Sequence, residues 1–154
     1  MQTEAVTPAE MKTTREALGV PSEWLAQTVG VTVRTVRHWE SGRTRVPDDV
    51  ALLLDALLGQ VREHALATAT RELSPPVNLL RFRDQEALRR ATGLTWPVAT
   101  HAIAQLRVLE QLRERGTQVR LVWFNDTDCV TWASTRPAAS PDEWARAQAW
   151  DPAP

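Results

Sequence analysis

The residue types best suited to binding chemistry lie between positions 32 and 46. Four arginines share this segment with a single acid: Arg34, Arg37, Arg43, Arg45 and Glu40. Guanidinium groups bind phosphates and can bridge the O6 and N7 acceptors of guanine. The chain as a whole has a formal net charge of -1, so the positive patch is local, and salt confines its effect to roughly 10 Å. The segment therefore predicts a surface that can bind phosphates.

Residue types that serve catalysis or metal binding do not occur at a spacing typical of an active site or a metal site. Cys129 is the single cysteine, which excludes an intramolecular disulfide and a Cys-rich zinc site. Three histidines lack metal-ligand spacing: His38, His64 and His101. Asp126 and Asp128 are close in sequence, but such pairs after a strand are usually solvated turn residues. The chain is therefore predicted to be no enzyme and to need no cofactor or metal.

Length and composition favour a globular protein of one ordinary domain or two small ones. The chain has 154 residues, of which 43% are hydrophobic and 24% are charged. It contains no apolar run of the roughly 18 residues that a membrane span needs, and its N-terminal segment lacks the apolar core of a secretion signal. We therefore expect a cytoplasmic protein without a membrane partner.

The elements that position the arginines read as short helices joined by tight turns. Thr7 and Glu10 form a capping box for the first helix, Thr32 caps the third, and Gly30 suits a left-handed turn between the second and the third. The predicted helices cover Pro8–Leu18, Ser22–Val29, Val33–Ser41 and a long stretch from Pro47 to about Thr70. Residues 1–70 are therefore predicted to form a mostly α-helical domain of four to five helices.

The second half is predicted to be a small α+β domain at residues 71–154, beginning at the Leu73–Pro76 break. Its predicted elements are a strand at Val77–Arg83, a helix at Asp84–Ala91, a helix at Pro97–Arg115, strands at Gln118–Phe124 and Cys129–Ser134, and a helix start in the tail. Asn125–Thr127 suits a turn that joins the last two strands as an antiparallel hairpin. In the long helix, Ile103, Leu106, Leu109 and Leu112 are predicted to face inward, and the C-terminal tail is predicted to be frayed.

The segment Leu25–Gly42 resembles the helix-turn-helix of the Cro/cI-like repressors, the XRE family. The matching features are a Leu-Ala pair, a Gly-Val turn, a Thr cap, a buried aliphatic and a buried aromatic residue, and a final Glu-Ser-Gly. The resemblance covers about residues 8–60. It implies a domain that binds double-stranded DNA with its third helix in the major groove.

The resemblance also implies a set of contact residues. Base contacts fall on Val33, Arg34, Arg37 and His38. Phosphate contacts fall on Ser22, Thr35, Arg43 and Arg45, together with the helix N-terminus at Thr32. Each has a plainer interpretation, because Arg34 and Arg37 can form a solvated face with Arg37 paired to Glu40. Likewise, His38 can pack or face solvent, and Trp39 is predicted to belong to the core.

One such module reads only a few base pairs, so the second half is predicted to form a homodimer that reads two half-sites. Trp123 and Trp132, placed on the two strands of the predicted hairpin, either build the core of this half or form the dimer contact. This half also resembles, through Leu80–Asp84 and Val119–Phe124, the second domain of anti-CRISPR-associated autoregulators. That resemblance implies a dimeric repressor of its own operon.

The sequence thus predicts a transcriptional repressor that binds an inverted-repeat operator. Two alternatives remain open at this stage: an antitoxin whose second half binds a toxin protein, and a regulator whose second half encloses an apolar effector. RNA binding by the same basic surface, and activation instead of repression, also remain open.

Overall fold

The computed structural model describes residues 4–71, 73–137 and 139–148. Within these ranges the chain forms eight helices and two strands. In chain order they are α1 (Pro8–Ala17), α2 (Ser22–Val29), α3 (Val33–Glu40), α4 (Asp48–Thr70), β1 (Val77–Arg81), α5 (Gln85–Thr92), α6 (Val98–Glu114), β2 (Val119–Trp123), α7 (Asp126–Ala133) and α8 (Pro141–Ala147). The chain divides into two compact units, Met1–Glu63 and His64–Pro154, and the division falls within α4.

In the first unit, local sequence signals determine where the helices begin and end. Thr7 and Glu10 make the predicted capping box, in which each residue's backbone N–H donates to the side chain of the other. Gly30 takes a left-handed conformation with a φ of 73° between α2 and α3, as predicted. The buried side chains of this unit form its apolar interior and include Met11, Leu18, Val20, Leu25, Val36, Trp39 and Val50.

The second unit is organised around a parallel pair of strands, β1 and β2. Two helices, α5 and α6, lie between these strands in the chain, as a crossover connection between parallel neighbours requires. One face of the sheet packs in a cluster with the end of α4 and with α6 through Val77, Leu79 and Val119. The other face packs with α5, α7 and α8 through Leu80, Phe82 and Phe124. The sheet is therefore covered by helices on both faces, as parallel sheets usually are.

The predicted antiparallel hairpin is wrong. Residues 129–133, predicted to be a strand, belong to α7, and the only strand partner of β2 among the described residues is β1. The reason is local: Asn125 does not turn the chain but caps a helix, because its side chain accepts a hydrogen bond from the Asp128 N–H at 3.1 Å. Asp126 and Asp128 then lie in the first helical turn, where negative charge is favoured.

The long helix of the second half is confirmed, but its inward face was partly misassigned. Leu109 and Leu112 are buried in the cluster around β1 and β2, whereas Leu106 is exposed and Ile103 is only half-buried. The buried face of α6 instead continues through Ala104 and Val108 and includes three polar residues: Thr100, His101 and Gln105. In the N-terminal half of α6, the predicted apolar face is therefore displaced by one position from the face that is buried.

Predictions about the extreme C-terminus fall outside the described residues. The tail that is predicted to be frayed belongs to this part of the chain. The helix start predicted nearby is confirmed as α8, which Ser140 caps in a second capping box with Glu143.

Candidate nucleic-acid interface

Helix α3 separates an inward apolar face from an outward basic one. Val36 and Trp39 are buried, which confirms Trp39 as a core residue. Arg34 and Arg37 are exposed on the other side, where a spacing of three residues places them next to each other on the helix surface. Within the described part of the chain neither guanidinium has an ion-pair or hydrogen-bond partner. Both are therefore available to a ligand.

A buried ion pair fixes the C-terminal end of α3 against α1. The Arg15 Nε donates to the Glu40 Oε1 at 2.5 Å, and the two side chains are only 11% and 10% exposed. The same guanidinium donates through Nη1 to the Val20 carbonyl at 2.8 Å. Glu40 therefore pairs with Arg15, not with Arg37 as the plainer interpretation of Arg37 proposed.

The loop after α3 is held by the backbone of His38. Its carbonyl accepts hydrogen bonds from the N–H groups of Arg43 and Thr44, at 2.9 and 3.3 Å. The half-buried imidazole has its Nε2 3.4 Å from the Arg43 Nη1. His38 and Arg43, predicted for a base and for a phosphate respectively, therefore lie side by side at one end of the basic face.

The residues predicted to contact phosphates differ in whether their polar groups already have a hydrogen-bond or ion-pair partner. Ser22 begins α2 directly after Pro21, and no side chain caps this helix, so its first N–H groups lack a side-chain acceptor. Thr32, by contrast, accepts from the Thr35 N–H at 3.2 Å, and the two hydroxyls are 3.1 Å apart. Arg45 forms an exposed ion pair with Asp48 at 2.8 Å, a type of pair that stabilises little and that a phosphate can replace.

Val33 completes the set predicted to read bases. It is the first residue of α3 and is half-buried. The structure therefore places Val33, Arg34, Arg37 and His38 on one short helix whose opposite face is fixed by core packing. That arrangement is the one that a helix needs to present side chains to the major groove.

Comparison with known protein families agrees with this geometry. Residues 9–67 match the family model of a helix-turn-helix domain. This part of the chain is a helix-turn-helix domain. The match is consistent with the resemblance to XRE-type regulators and supports DNA binding. No curated protein matches the chain, and no finding supports the resemblance of the second half to anti-CRISPR-associated autoregulators.

Outside the helix-turn-helix domain, the two tryptophans predicted for a dimer contact lie on different kinds of element. Trp123 ends β2, is 51% exposed, and has the guanidinium of Arg83 4.3 Å from its ring centroid. Trp132 lies on α7 and packs partly against the cluster that includes Phe124 and Trp144. The two therefore do not form the cross-strand pair that the predicted hairpin implied.

The second unit also contains an open cavity of about 660 Å³ that the sequence interpretation missed. Residues His64, Arg71, Asn78, Phe82, His101, Gln105, Asp142 and Arg146 are among those that line it. Two buried atoms of its lining residues, His101 Nδ1 and Gln105 Oε1, have no hydrogen-bond partner among the described residues. The only sequence signal was the spacing of four residues between a histidine and a glutamine on a predicted helix, which also fits an ordinary solvated face.

Burial makes His101 a neutral side chain. Desolvation, with smaller contributions from the nearby His64 and Arg81, lowers the pKa of His101 to about 4. Burial also raises the pKa of the Cys129 thiol, and the charge of Asp126 adds to this effect. The thiol therefore stays protonated at neutral pH, and Cys129 packs in the cluster of Phe124 and Trp144.

The described residues contain no group of three or more His, Cys, Asp or Glu side chains arranged to hold a metal ion. No helix in the described ranges has the length and apolar character needed to cross a membrane.

Proposed function

We propose that this protein is a transcriptional repressor that binds an inverted-repeat operator as a homodimer and regulates its own operon. The observation that carries the proposal is the basic face of α3, where Arg34 and Arg37 are exposed and have no partner among the described residues. A face of this kind, on a helix-turn-helix domain matched over residues 9–67, is suited to the major groove.

Rigidity of α3 supports base reading rather than loose electrostatic binding. The buried pair between Arg15 and Glu40 joins α3 to α1, and Val36 and Trp39 anchor its middle and end. Because packing holds α3 at both points, the backbone of each arginine on this helix has a fixed position. Its side chain can therefore make a bidentate contact with guanine. Such a contact discriminates against the wrong base by about 1–3 kcal/mol.

The phosphate-binding groups surround that face. We assign this role to Arg43 and Arg45 in the loop after α3, to Thr32 and Thr35 at its start, and to the uncapped N-terminus of α2 at Ser22. Phosphate contacts set the register of the helix on the duplex but carry no sequence information. A homodimer follows from the small number of base pairs that one α3 reads, since two copies bound to two half-sites give enough specificity to select an operator.

A mobility-shift assay on the upstream region of the gene, at two salt concentrations, tests the proposal. We expect a discrete complex that survives competitor DNA and protects an inverted repeat. Arg34→Ala should weaken binding by about 1–3 kcal/mol and relax the preference at one base position in each half-site. Arg62→Ala, which removes the same charge from an exposed position on α4, is the matched control and should bind like the wild type.

Either of two results would contradict the proposal. The first is a shift that competitor DNA abolishes at moderate salt, since that is the behaviour of non-specific binding. The second is an equal loss in Arg34→Ala and Arg62→Ala, since total charge would then explain the binding better than α3 does.

The cavity of the second unit favours one further candidate, regulation by a bound small molecule. Its lining mixes apolar residues with His64, His101 and Gln105, so it favours a polar effector over the apolar one first considered. Native mass spectrometry of protein purified without refolding tests this. A retained small molecule that is lost in Gln105→Leu supports the candidate, and the same retention in the variant argues against this cavity as the binding site.

A further inference from the structure

Strand β2 has one edge that no other part of the described chain pairs with. Hydrogen bonds from the Val77 N–H to the Gln118 carbonyl and from the Phe124 N–H to the Arg81 carbonyl fix the alternation of the ladder. In a parallel pair, every second residue directs its N–H and C=O to the neighbouring strand. The backbone groups of Arg120 and Val122 therefore face β1, and those of Val119, Leu121 and Trp123 face away from it.

In the part of the chain that the structure describes, the backbone groups of these three outward positions have no partner. The sheet has two strands, and among the described residues no hydrogen bond to the backbone of Val119, Leu121 or Trp123 is present. The outer edge of β1 differs, because the Gln105 side chain donates to the Leu80 carbonyl at 3.1 Å and the Arg81 side chain donates to the Phe82 carbonyl at 2.6 Å. Residues Asn78, Leu80 and Phe82 of that edge are also buried.

The exposure of the β2 edge is unusual for this kind of sheet. Both faces of the sheet are covered, one by the cluster that contains Val108 and Leu109 and the other by the cluster that contains Leu88 and Trp144. Two strands alone form a marginal sheet, and an edge whose outward positions carry neither proline nor a charged residue, as is the case for Val119, Leu121 and Trp123 here, is a template for another strand. Leu121 is only half-buried and Trp123 is 51% exposed. A strand added at this edge would therefore cover apolar surface as well as backbone.

We infer that the β2 edge pairs with the β2 edge of a second copy of this chain, antiparallel and about a two-fold axis at Leu121. This register places Leu121 opposite Leu121 of the second copy and Val119 opposite Trp123. Each of these pairs exchanges both N–H···O=C bonds, as hydrogen-bonded pairs of an antiparallel ladder do. The two sheets join into one of four strands, and Trp123 gains a branched side chain as its cross-strand neighbour.

Charge and symmetry favour a second copy over a different strand. Arg120 is the only charged residue of β2, and in this register it lies opposite Val122, so no like charges face each other directly. The three outward positions are symmetric about Leu121, so the edge is its own complement, as an isologous interface requires. The inference deepens the proposed function, and its meaning for operator binding rests on that function, because a two-fold dimer matches an inverted repeat.

Two substitutions at one exposed position test the backbone pairing. Trp123→Pro removes an N–H that faces away from β1, so the internal ladder keeps its hydrogen bonds while the outer edge loses one donor in each copy. Trp123→Val removes the indole but keeps the N–H. We expect light scattering after gel filtration, without DNA, to give twice the chain mass for the wild type and for Trp123→Val, and the mass of a single chain for Trp123→Pro. A monomeric wild type, or a dimeric Trp123→Pro with a native circular dichroism spectrum, would overturn the inference.

If Trp123→Pro does not fold, a disulfide cross-link tests the pairing of the two β2 edges instead. Paired residues at the two-fold axis have Cα atoms about 5.5 Å apart, within the range that a disulfide spans. Leu121→Cys in a Cys129→Ala background should therefore form a covalent dimer on mild oxidation. Val130→Cys in the same background places a thiol on an exposed face of α7 and should stay monomeric. Equal cross-linking of the two variants, or none at Leu121→Cys, would contradict the register.

DNA binding, measured on the same proteins, separates this inference from the proposed function. If both hold, Trp123→Pro should bind the operator roughly tenfold or more weakly than Trp123→Val, since two linked modules bind far more tightly than one. A wild-type dimer that pairs through Leu121 but binds no operator would contradict the proposed function alone. An operator-binding wild type whose Trp123→Pro variant remains dimeric would contradict the pairing alone.

Discussion

The two units of this chain leave different groups without partners. In the helix-turn-helix domain the groups left over are charged and exposed, above all Arg34 and Arg37, while its buried charges Arg15 and Glu40 are paired with each other. The described part of the second unit also has unpaired exposed charges such as Arg113, but in addition it leaves neutral groups without partners. They comprise buried side-chain atoms of Thr100, His101 and Gln105 and the outer backbone edge of β2.

This difference indicates what each unit can bind. Exposed guanidinium groups suit a polyanion, because they stay solvated until phosphates or base edges replace water. An open strand edge suits another strand, because only a backbone of matching spacing satisfies alternate N–H and C=O groups. Under the proposals made above, the first unit contacts DNA and the second contacts another copy of the chain.

The largest expected effect concerns the buried ion pair of the first unit. Glu40→Ala removes the nearest anion of the buried Arg15 guanidinium, which keeps only the Val20 carbonyl and the largely exposed Glu16 carboxylate at 3.6 Å. The free energy of unfolding should fall by up to about 3–5 kcal/mol. Urea unfolding followed by circular dichroism measures the loss. Arg45→Ala, which breaks the exposed pair with Asp48, is the matched control and should cost less than about 1 kcal/mol. Similar losses in both variants would remove the contrast between buried and exposed charge.

An intermediate effect concerns the buried imidazole of the second unit. Burial lowers the pKa of His101 to about 4, below the roughly 6.5 of an unfolded chain, so between these values the unfolded state binds the extra proton. This contribution to stability is present above about pH 6.5 and is lost as the pH falls towards 4.

The corresponding experiment compares unfolding at two pH values. Lowering the pH from 7 to 5.5 should reduce the stability of the wild type by about 1 kcal/mol more than that of His101→Phe. Phenylalanine keeps a ring beside Phe82, whose centroid is 5.3 Å from that of His101. A pH dependence that His101→Phe retains in full would show that His101 is not the group responsible.

The smallest expected effect concerns the start of α7. Asn125→Ala removes the side chain that accepts from the Asp128 N–H and should destabilise the second unit by about 1 kcal/mol. Asn125→Ser keeps a capping oxygen and should restore most of the loss. Thermal unfolding of the two variants measures the difference. If alanine and serine behave alike, the cap does not stabilise this helix.

Prediction from sequence succeeded where a structure depends on neighbours in the chain. The capping box at Thr7, the cap at Thr32 and the left-handed turn at Gly30 each involve residues at most a few positions apart. Trp39 was also placed correctly in the core, because α3 follows a simple helical period. The assignment of individual DNA contacts remains a prediction.

Prediction failed where the same local pattern suits two structures. Residues 129–133 are rich in types that favour strands, yet Asn125 and the acids after it start a helix. The partner of Arg15 was also not predictable, because Glu40 lies 25 positions away and Arg37 lies only three from it. Pairings across such distances depend on how helices pack, which no local pattern records.

The sequence by itself determined the short helices, their caps and turns, and the basic character of α3, because these follow from backbone propensities and charges close together in the chain. Only the tertiary structure decided that β1 and β2 run parallel, that Glu40 binds Arg15, and that the outer edge of β2 stays open. Each of these depends on which distant segments come into contact, and that is set by burial of apolar surface summed over the whole unit.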